Sequence, residues 1–268
     1  MAGDTQVQPA APSISRNIEI VFFSLLLLVV PIAASIYTRP RLGWPITALS
    51  MLIYFLLLGR WICGRPLGIL INERNLMSLS RFQTLAWSLL LLSAFMTIAI
   101  KRVHTFWSVS GAAPLNIQMD WHLWALMGIS TTSLVGTPLL LTPKMTKNPS
   151  EQSFSKAAAQ LAEPEQDIKS NSQGTLYANS RIADAAFSDM FQGDEIGNTA
   201  HIDLAKLQMF YFTVVSLISL TYAIAASLSD IYGIDKFAMP IPPDGLLALL
   251  GISNAGYLTS KTADHTPS

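Results

Sequence analysis

Six apolar stretches separated by polar ones set the pattern of the chain: residues 18–37, 45–63, 82–100, 122–141, 208–228 and 245–259. A helix needs roughly 20 residues to cross a hydrocarbon core about 30 Å thick, with about 17 as the lower end. The first five stretches meet that length. The sixth is shorter and fits a span that thins the bilayer locally, a tilted half helix or a re-entrant segment; it is read as a sixth span. The last four stretches contain no Asp, Glu, Lys or Arg. The pattern predicts an all-α integral membrane protein with about six transmembrane helices. Residues 1–16 form a tail and 17–63 a helical hairpin. The sequence Ala33-Ala34-Ser35 offers a signal-peptide cleavage site, but Glu19 beside a long apolar run favours an uncleaved anchor.

The remaining spans carry an internal repetition. "ALMGIS" at 125–130 returns as "ALLGIS" at 248–253, and "SLSRFQTLAW" at 78–87 is matched by "DLAKLQMFYF" at 203–212. Leu79 aligns with Leu204, Arg81 with Lys206 and Gln83 with Gln208; upstream, Gly68 and Ile71 align with Gly193 and Ile196. Each unit reads as a lead-in, a helix going out, a proline-bearing loop (Pro114; Pro240, Pro242 and Pro243) and a helix coming back. Residues 64–141 and 193–260 are therefore expected to form two parallel two-helix repeats, of the kind that membrane transport folds use. The 78–133 stretch, and the second copy more loosely, resembles bacterial multi-pass inner-membrane proteins in which a Ser-Leu-x-Arg-x-Gln lead-in and a Leu-x-Gly-Ile-Ser return recur. In the second copy Asp203 replaces the serine and Lys206 the arginine. The resemblance implies a bacterial inner-membrane setting and brings no activity, ligand or catalytic residue.

Between the repeats, residues 142–192 change character. "KMTKNPSEQSFSKAAAQLAEPEQDIKSNSQG" has no sustained apolar run, so this polar cytoplasmic loop is expected to be flexible, with proteases cutting first between Met145 and Gly174. The sequence "SRIADAAFSDMFQGDE" that follows predicts an amphipathic helix ending before Gly193. Residues 261–268 form a C-terminal tail. Placing the amino terminus in the cytoplasm puts 12 of the 17 basic residues on the inside, so both termini are assigned there.

Charge and composition narrow the chemistry. Of the 268 residues 51% are hydrophobic and only 13% charged, which favours the membrane class over a soluble one. Seventeen basic residues balance 17 acidic ones, removing the field expected of a nucleic-acid binder, and the lone Cys63 excludes an internal disulfide framework. Arg81 and Lys206 stand at the inner interface, where a phosphate-binding role competes with the more ordinary one of snorkelling and setting topology. Gln83 and Gln208, one turn further in, are expected as hydrogen-bonding links between helices. His104, Asp120 and His122 share an outer loop without a further ligand at fixed spacing, so no metal is expected there. Asp194 and Glu195 are placed in the inner loop, outside any apolar pocket. No nucleophile with its base and no phosphate-cradling loop is present, so neither an enzyme nor a cofactor is expected.

The Gly-Ile-Ser segments are the remaining candidates. Gly128 and Gly251 cost a helix about 1 kcal/mol each relative to alanine, and close helix packing would offset that. The two segments are expected to cross near the bilayer centre, with Ser130 and Ser253 bonding across the contact. Thr131, Thr132 and Asn254 would lie on a polar path beyond it. The expected function is a passive pore, formed as a homo-oligomer and lined by these return helices. The alternative is a membrane scaffold that docks a cytosolic protein partner through residues 143–201.

Overall fold

The computed structural model describes residues 14–228 and 238–267, with side chains from residue 17 onward. Among the described residues eight α-helices follow in order: α1 (Ile14–Tyr37), α2 (Pro40–Cys63), α3 (Leu79–Phe106), α4 (Trp121–Leu141), α5 (Glu151–Leu161), α6 (Glu165–Asn171), α7 (Leu204–Ser227) and α8 (Asp244–Thr262). Five of them, α1 to α4 and α7, are long and apolar enough to cross a membrane. The sixth apolar stretch is a continuous helix of 19 residues, α8, about 28 Å long at 1.5 Å per residue. It falls below the other five in apolar content. Among the described residues there is no strand, only isolated bridges such as Ile71 with Met77 and Gln192 with Ile202.

Local chemistry fixes where the helices begin. The side chains of Ser78, Asp120, Ser150 and Asp203 each accept a backbone N–H from the first turn of α3, α4, α5 and α7. Those N–H groups have no partner inside the helix, and serine or aspartate supplies one. Ser78 and Asp203 open the two lead-in motifs, so the Ser-to-Asp difference between them leaves the capping role unchanged.

The α1–α2 hairpin packs on α3, while α3, α4, α8 and α7 pack in turn around a four-helix bundle, α3 meeting α7 to close it. Trp87, Leu91, Ile98, Leu123, Leu126 and Ile224 fill its centre and are fully buried. Outward faces stay apolar, with Val21, Phe22, Leu25 and Val29 of α1 and Val215 and Ile218 of α7 all exposed, a surface suited to lipid contact.

At the end where α3 and α7 begin and α4 and α8 finish, the connecting segments form a folded cap, and here three expectations are corrected. Residues 142–192 are folded: α5 and α6 pack together and bury Phe154, Ala157 and Ile168 against Leu76, Tyr177 and Ile196. A handful of large apolar side chains at the right places suffices, each stabilising the fold by about 1.5–3 kcal/mol when fully buried. The amphipathic helix expected before Gly193 is absent; Ile182–Asp184 and Phe187–Phe191 are short 3-10 turns. Tertiary bonds claim that backbone instead. Arg65 Nη1 donates to the carbonyls of Ile182, Ala183 and Ala185 at 3.0, 3.0 and 2.7 Å, and Asp189 accepts the N–H groups of Ala186 and Met77. Finally, residues 263–267 are docked and not a free tail, since Ser150 N–H donates to the Pro267 carbonyl at 3.1 Å.

Candidate functional site: a buried charge cluster under a polar seam

Asp194 lies in the segment leading into α7, and its carboxylate collects cations from three separate elements. Arg74, in the loop before α3, donates through Nη2 to Oδ1 at 2.6 Å; Lys206, in the first turn of α7, stands 3.3 Å from the same oxygen; Lys261, in the last turn of α8, bonds Oδ2. Lys261 also reaches Asp203 Oδ2 at 3.2 Å and sits 4.5 Å over the Tyr257 ring. Arg74, Lys206 and Lys261 are only 7, 7 and 3% exposed at the side chain, and Asp194 10%. Three cations against two carboxylates leave a formal excess of one positive charge. Carbonyl oxygens offset it: Lys206 donates to Gln192 at 2.6 Å, and Arg74 to Tyr177 at 3.1 Å and to Asp194 at 2.9 Å. Burial alone pushes the Asp194 carboxyl up, but Lys206, Lys261 and Arg74 together outweigh it and hold the group well below its ordinary range.

The next residue faces a different set of partners. Glu195 accepts from Lys144 Nζ at 2.6 Å and from the backbone N–H groups of His265 and Thr266 at 3.1 and 3.0 Å, with the two charged side chains 4 and 2% exposed. Lys144 further donates to the Ala263 carbonyl. Asp194 thus joins the cap to the starts of α3 and α7 and the end of α8, while Glu195 joins it to the end of α4 and the C-terminal strap. The expectation that both acids sit in an open loop is corrected: each is buried and paired.

Above the cluster a column of hydroxyl and amide groups runs into the bundle. Tyr257 of α8 bonds Thr137 of α4 at 3.1 Å and Ser80 of α3 at 3.3 Å. Further along, Ser133 of α4 bonds Asn254 Oδ1 of α8, and Gln83 of α3 donates to Thr213 of α7. Ser130 is buried, bonding within its own helix to the Met127 carbonyl at 2.9 Å; Ser253 is also buried, and neither its Oγ nor Gln83 Oε1 has a protein partner.

Several expected residues lie elsewhere. A Cβ built on Gly128 or Gly251 meets nothing within 4 Å, so neither glycine is at a helix contact within this chain. The close approach of α4 and α8 falls about two turns nearer the cap, where a Cβ on Gly136 would lie 3.3 Å from Leu258. Thr131 and Thr132 are exposed and bond their own helix, to the Met127 and Gly128 carbonyls at 2.8 Å each. Gln208 also faces outward, so the two aligned glutamines do not meet; the helical turn that buries Gln83 on α3 exposes Gln208 on α7. Arg81 is partly exposed and paired with Glu73 at 2.6 Å, whereas Lys206 is buried because the segment before it supplies Asp194. At the opposite end of the bundle His122 bonds Asp120 through Nδ1 and Asp244 through Nε2, the latter at 2.6 Å, tying the start of α4 to the start of α8. His104 is not part of this group; it lines an apolar hollow with Ile32, Ile36 and Leu115. Among the described residues no three His, Cys, Asp or Glu side chains are grouped to hold a metal.

The class that this fold defines is an all-α protein with five helices apolar enough to span a membrane. In comparison with known proteins, no family model, curated protein or solved structure matches the chain.

Proposed function

We propose that this is a non-enzymatic, six-span membrane scaffold whose folded cap presents a rigid platform to a soluble protein partner. The observation that carries the reading is Asp194, bonded to cations of three elements that come together only in the folded chain. Breaking one buried pair costs about 3–5 kcal/mol, so the cap is set firmly on the spans and does not act as a swinging gate. The bundle interior supports the same reading, because Trp87, Leu91 and Leu126 fill it with fully buried side chains. The α5–α6 surface, with Gln152, Lys156, Gln160 and Gln166 exposed, is the platform.

In this reading α8 is the sixth span, the cap is cytoplasmic, both termini are cytoplasmic, and the setting is a bacterial inner membrane. The excess of Lys and Arg at the cap end supports that orientation. In a Cys63→Ala background, Gln160→Cys is expected to label only from the cytoplasmic side and Ala113→Cys only from outside. The opposite pattern overturns the orientation.

A pore between copies is the second reading, and the observation that favours it is a small and polar outward face on α4, with Gly128, Thr131 and Thr132 exposed among lipid-facing positions. Proteoliposomes separate the two. The scaffold predicts no ion or solute flux, together with a specific protein adduct when a photo-cross-linking residue replaces Gln160 in native membranes. Flux that Gly128→Leu abolishes, with the fold retained, establishes the pore and removes the scaffold.

A further inference from the structure

A cavity of about 520 Å³ opens beside the cap, over α3 and between α2 and α4, both of which pack on α3. Its lining along α3 runs from Ser78 to Ser88, about 15 Å of helix at 1.5 Å per residue. The two ends differ in chemistry. Near the cap Glu73, Arg81 and Gln173 form the mouth, whereas deeper in the walls are Phe55 of α2, Leu85 of α3 and Leu134 of α4. A site charged at the interface and apolar toward the membrane core suits an amphiphile lying along the membrane normal.

The mouth also selects a head group. Arg74 lines the cavity but its charge is already committed to Asp194. What remains is one guanidinium and one carboxylate, Arg81 and Glu73, bonded at 2.6 Å with side chains 33 and 77% exposed. An exposed pair of this kind holds weakly, because solvent screening and side-chain entropy offset most of its attraction, so a ligand can open it. The guanidinium then matches a phosphate, which it can bond with two parallel N–H donors, and the carboxylate matches an ammonium. A phosphate alone would face the uncompensated Glu73. A quaternary ammonium has no N–H to give it.

We propose that this cavity is a binding site for a phospholipid with a zwitterionic, primary-amine head group, of the phosphoethanolamine type, the phosphate on Arg81 and the ammonium on Glu73. The site depends on membrane insertion and not on the scaffold role, so flux or cross-linking results leave it untouched.

The test is native mass spectrometry of the full-length protein released from micelles that hold equal amounts of phosphatidylethanolamine, phosphatidylcholine and phosphatidylglycerol with identical acyl chains. One phosphatidylethanolamine is expected to be retained about ten-fold over either competitor, the effect of one charge-assisted hydrogen bond. Glu73→Gln should erase the discrimination against phosphatidylglycerol, and Arg81→Gln should lose the bound lipid. Glu73 is exposed and Arg81 partly so, and unchanged melting curves will confirm that the variants fold. Equal retention of the three lipids, no retained lipid, or Glu73→Gln leaving the preference intact overturns the proposal. Displacement of the lipid by equimolar soluble phosphoethanolamine also overturns it, since the ligand would then be a free metabolite recognised by its head alone.

Discussion

Asp194→Ala is expected to destabilise the detergent-solubilised protein by about 3–5 kcal/mol, read as a drop in melting temperature or in the denaturant midpoint. The loss comes from what stays behind. Without the carboxylate, Arg74 and Lys206 remain buried with only carbonyl oxygens for company, and Lys261 keeps Asp203 and the Tyr257 ring. The pair itself is not a large net gain over an apolar core, because desolvating the charges offsets most of their attraction; the penalty lies in breaking it from one side. Asp264→Ala is the matched control. Its carboxylate pairs with Lys147 at 2.5 Å on an open surface, with side chains 52 and 39% exposed, and its removal should barely move the transition. Should the two variants melt together, the cluster does not hold the cap.

The pH dependence of that difference follows from the sign of the shift. The Asp194 carboxyl is held below its ordinary value of 3.8 in the folded protein. A depressed carboxylate contributes its stability in full above the unfolded value and loses it as pH falls through the folded one. The gap between wild type and Asp194→Ala should therefore be present at about pH 5 and narrow as pH falls into strong acid.

The five membrane-length helices were legible because an unbroken run of about 20 apolar residues, the length of one crossing, stands out in sequence without tertiary information. Their starts were legible only to within a few residues: the apolar runs begin at 82, 122 and 208, whereas Ser78, Asp120 and Asp203 cap helices that begin at Leu79, Trp121 and Leu204. Their ends were less so. The third apolar stretch stops at Ile100, yet α3 continues to Phe106, because Lys101 donates to the carbonyls of Ile36 and Thr38 at the end of α1 and Arg102 to those of Asn116 and Ala113. Charges that look like a boundary in sequence are consumed by neighbouring backbone.

The charge cluster left no local signal for a related reason. Asp194 is 120 residues from Arg74 and 67 from Lys261, and each looks alone like an ordinary solvated loop or span-end charge. Gly-Ile-Ser shows the converse limit. The repeated hexapeptide pointed to the correct pair of helices, α4 and α8, which do pack together. A repeat cannot say which face of each helix is turned inward, and the contact runs through Ser133, Gly136, Asn254 and Leu258.

Limited proteolysis of the wild-type protein should spare residues 145–174, against what their polar composition predicts, whereas Gly174→Val should be cut there first. Gly174 stands at φ +62°, a backbone conformation that costs a side-chain-bearing residue about 1–2 kcal/mol and a β-branched one more. Space adds to that cost. A Cβ at this position would lie 2.4 Å from the Lys144 carbonyl oxygen and 2.5 Å from the Met145 carbonyl carbon, which are backbone atoms unable to swing aside. Relief of that overlap, about 1–3 kcal/mol more, has to move the turn itself. The turn is held by Thr175 N–H on the Lys144 carbonyl at 3.0 Å and by Leu176 N–H on Gln173 at 3.1 Å, and it delivers the fully buried Leu176 to the cap. Displacing it therefore frees the segment that α5 and α6 occupy, and Lys147, Lys156 and Lys169 become tryptic sites. Ala162→Gly is the control, because it eases another left-handed position of the cap, at φ +55°, and should leave the digestion pattern as it is. Early cutting of the wild type between Met145 and Gly174 would mean that composition, and not the few buried apolar side chains, governs this segment.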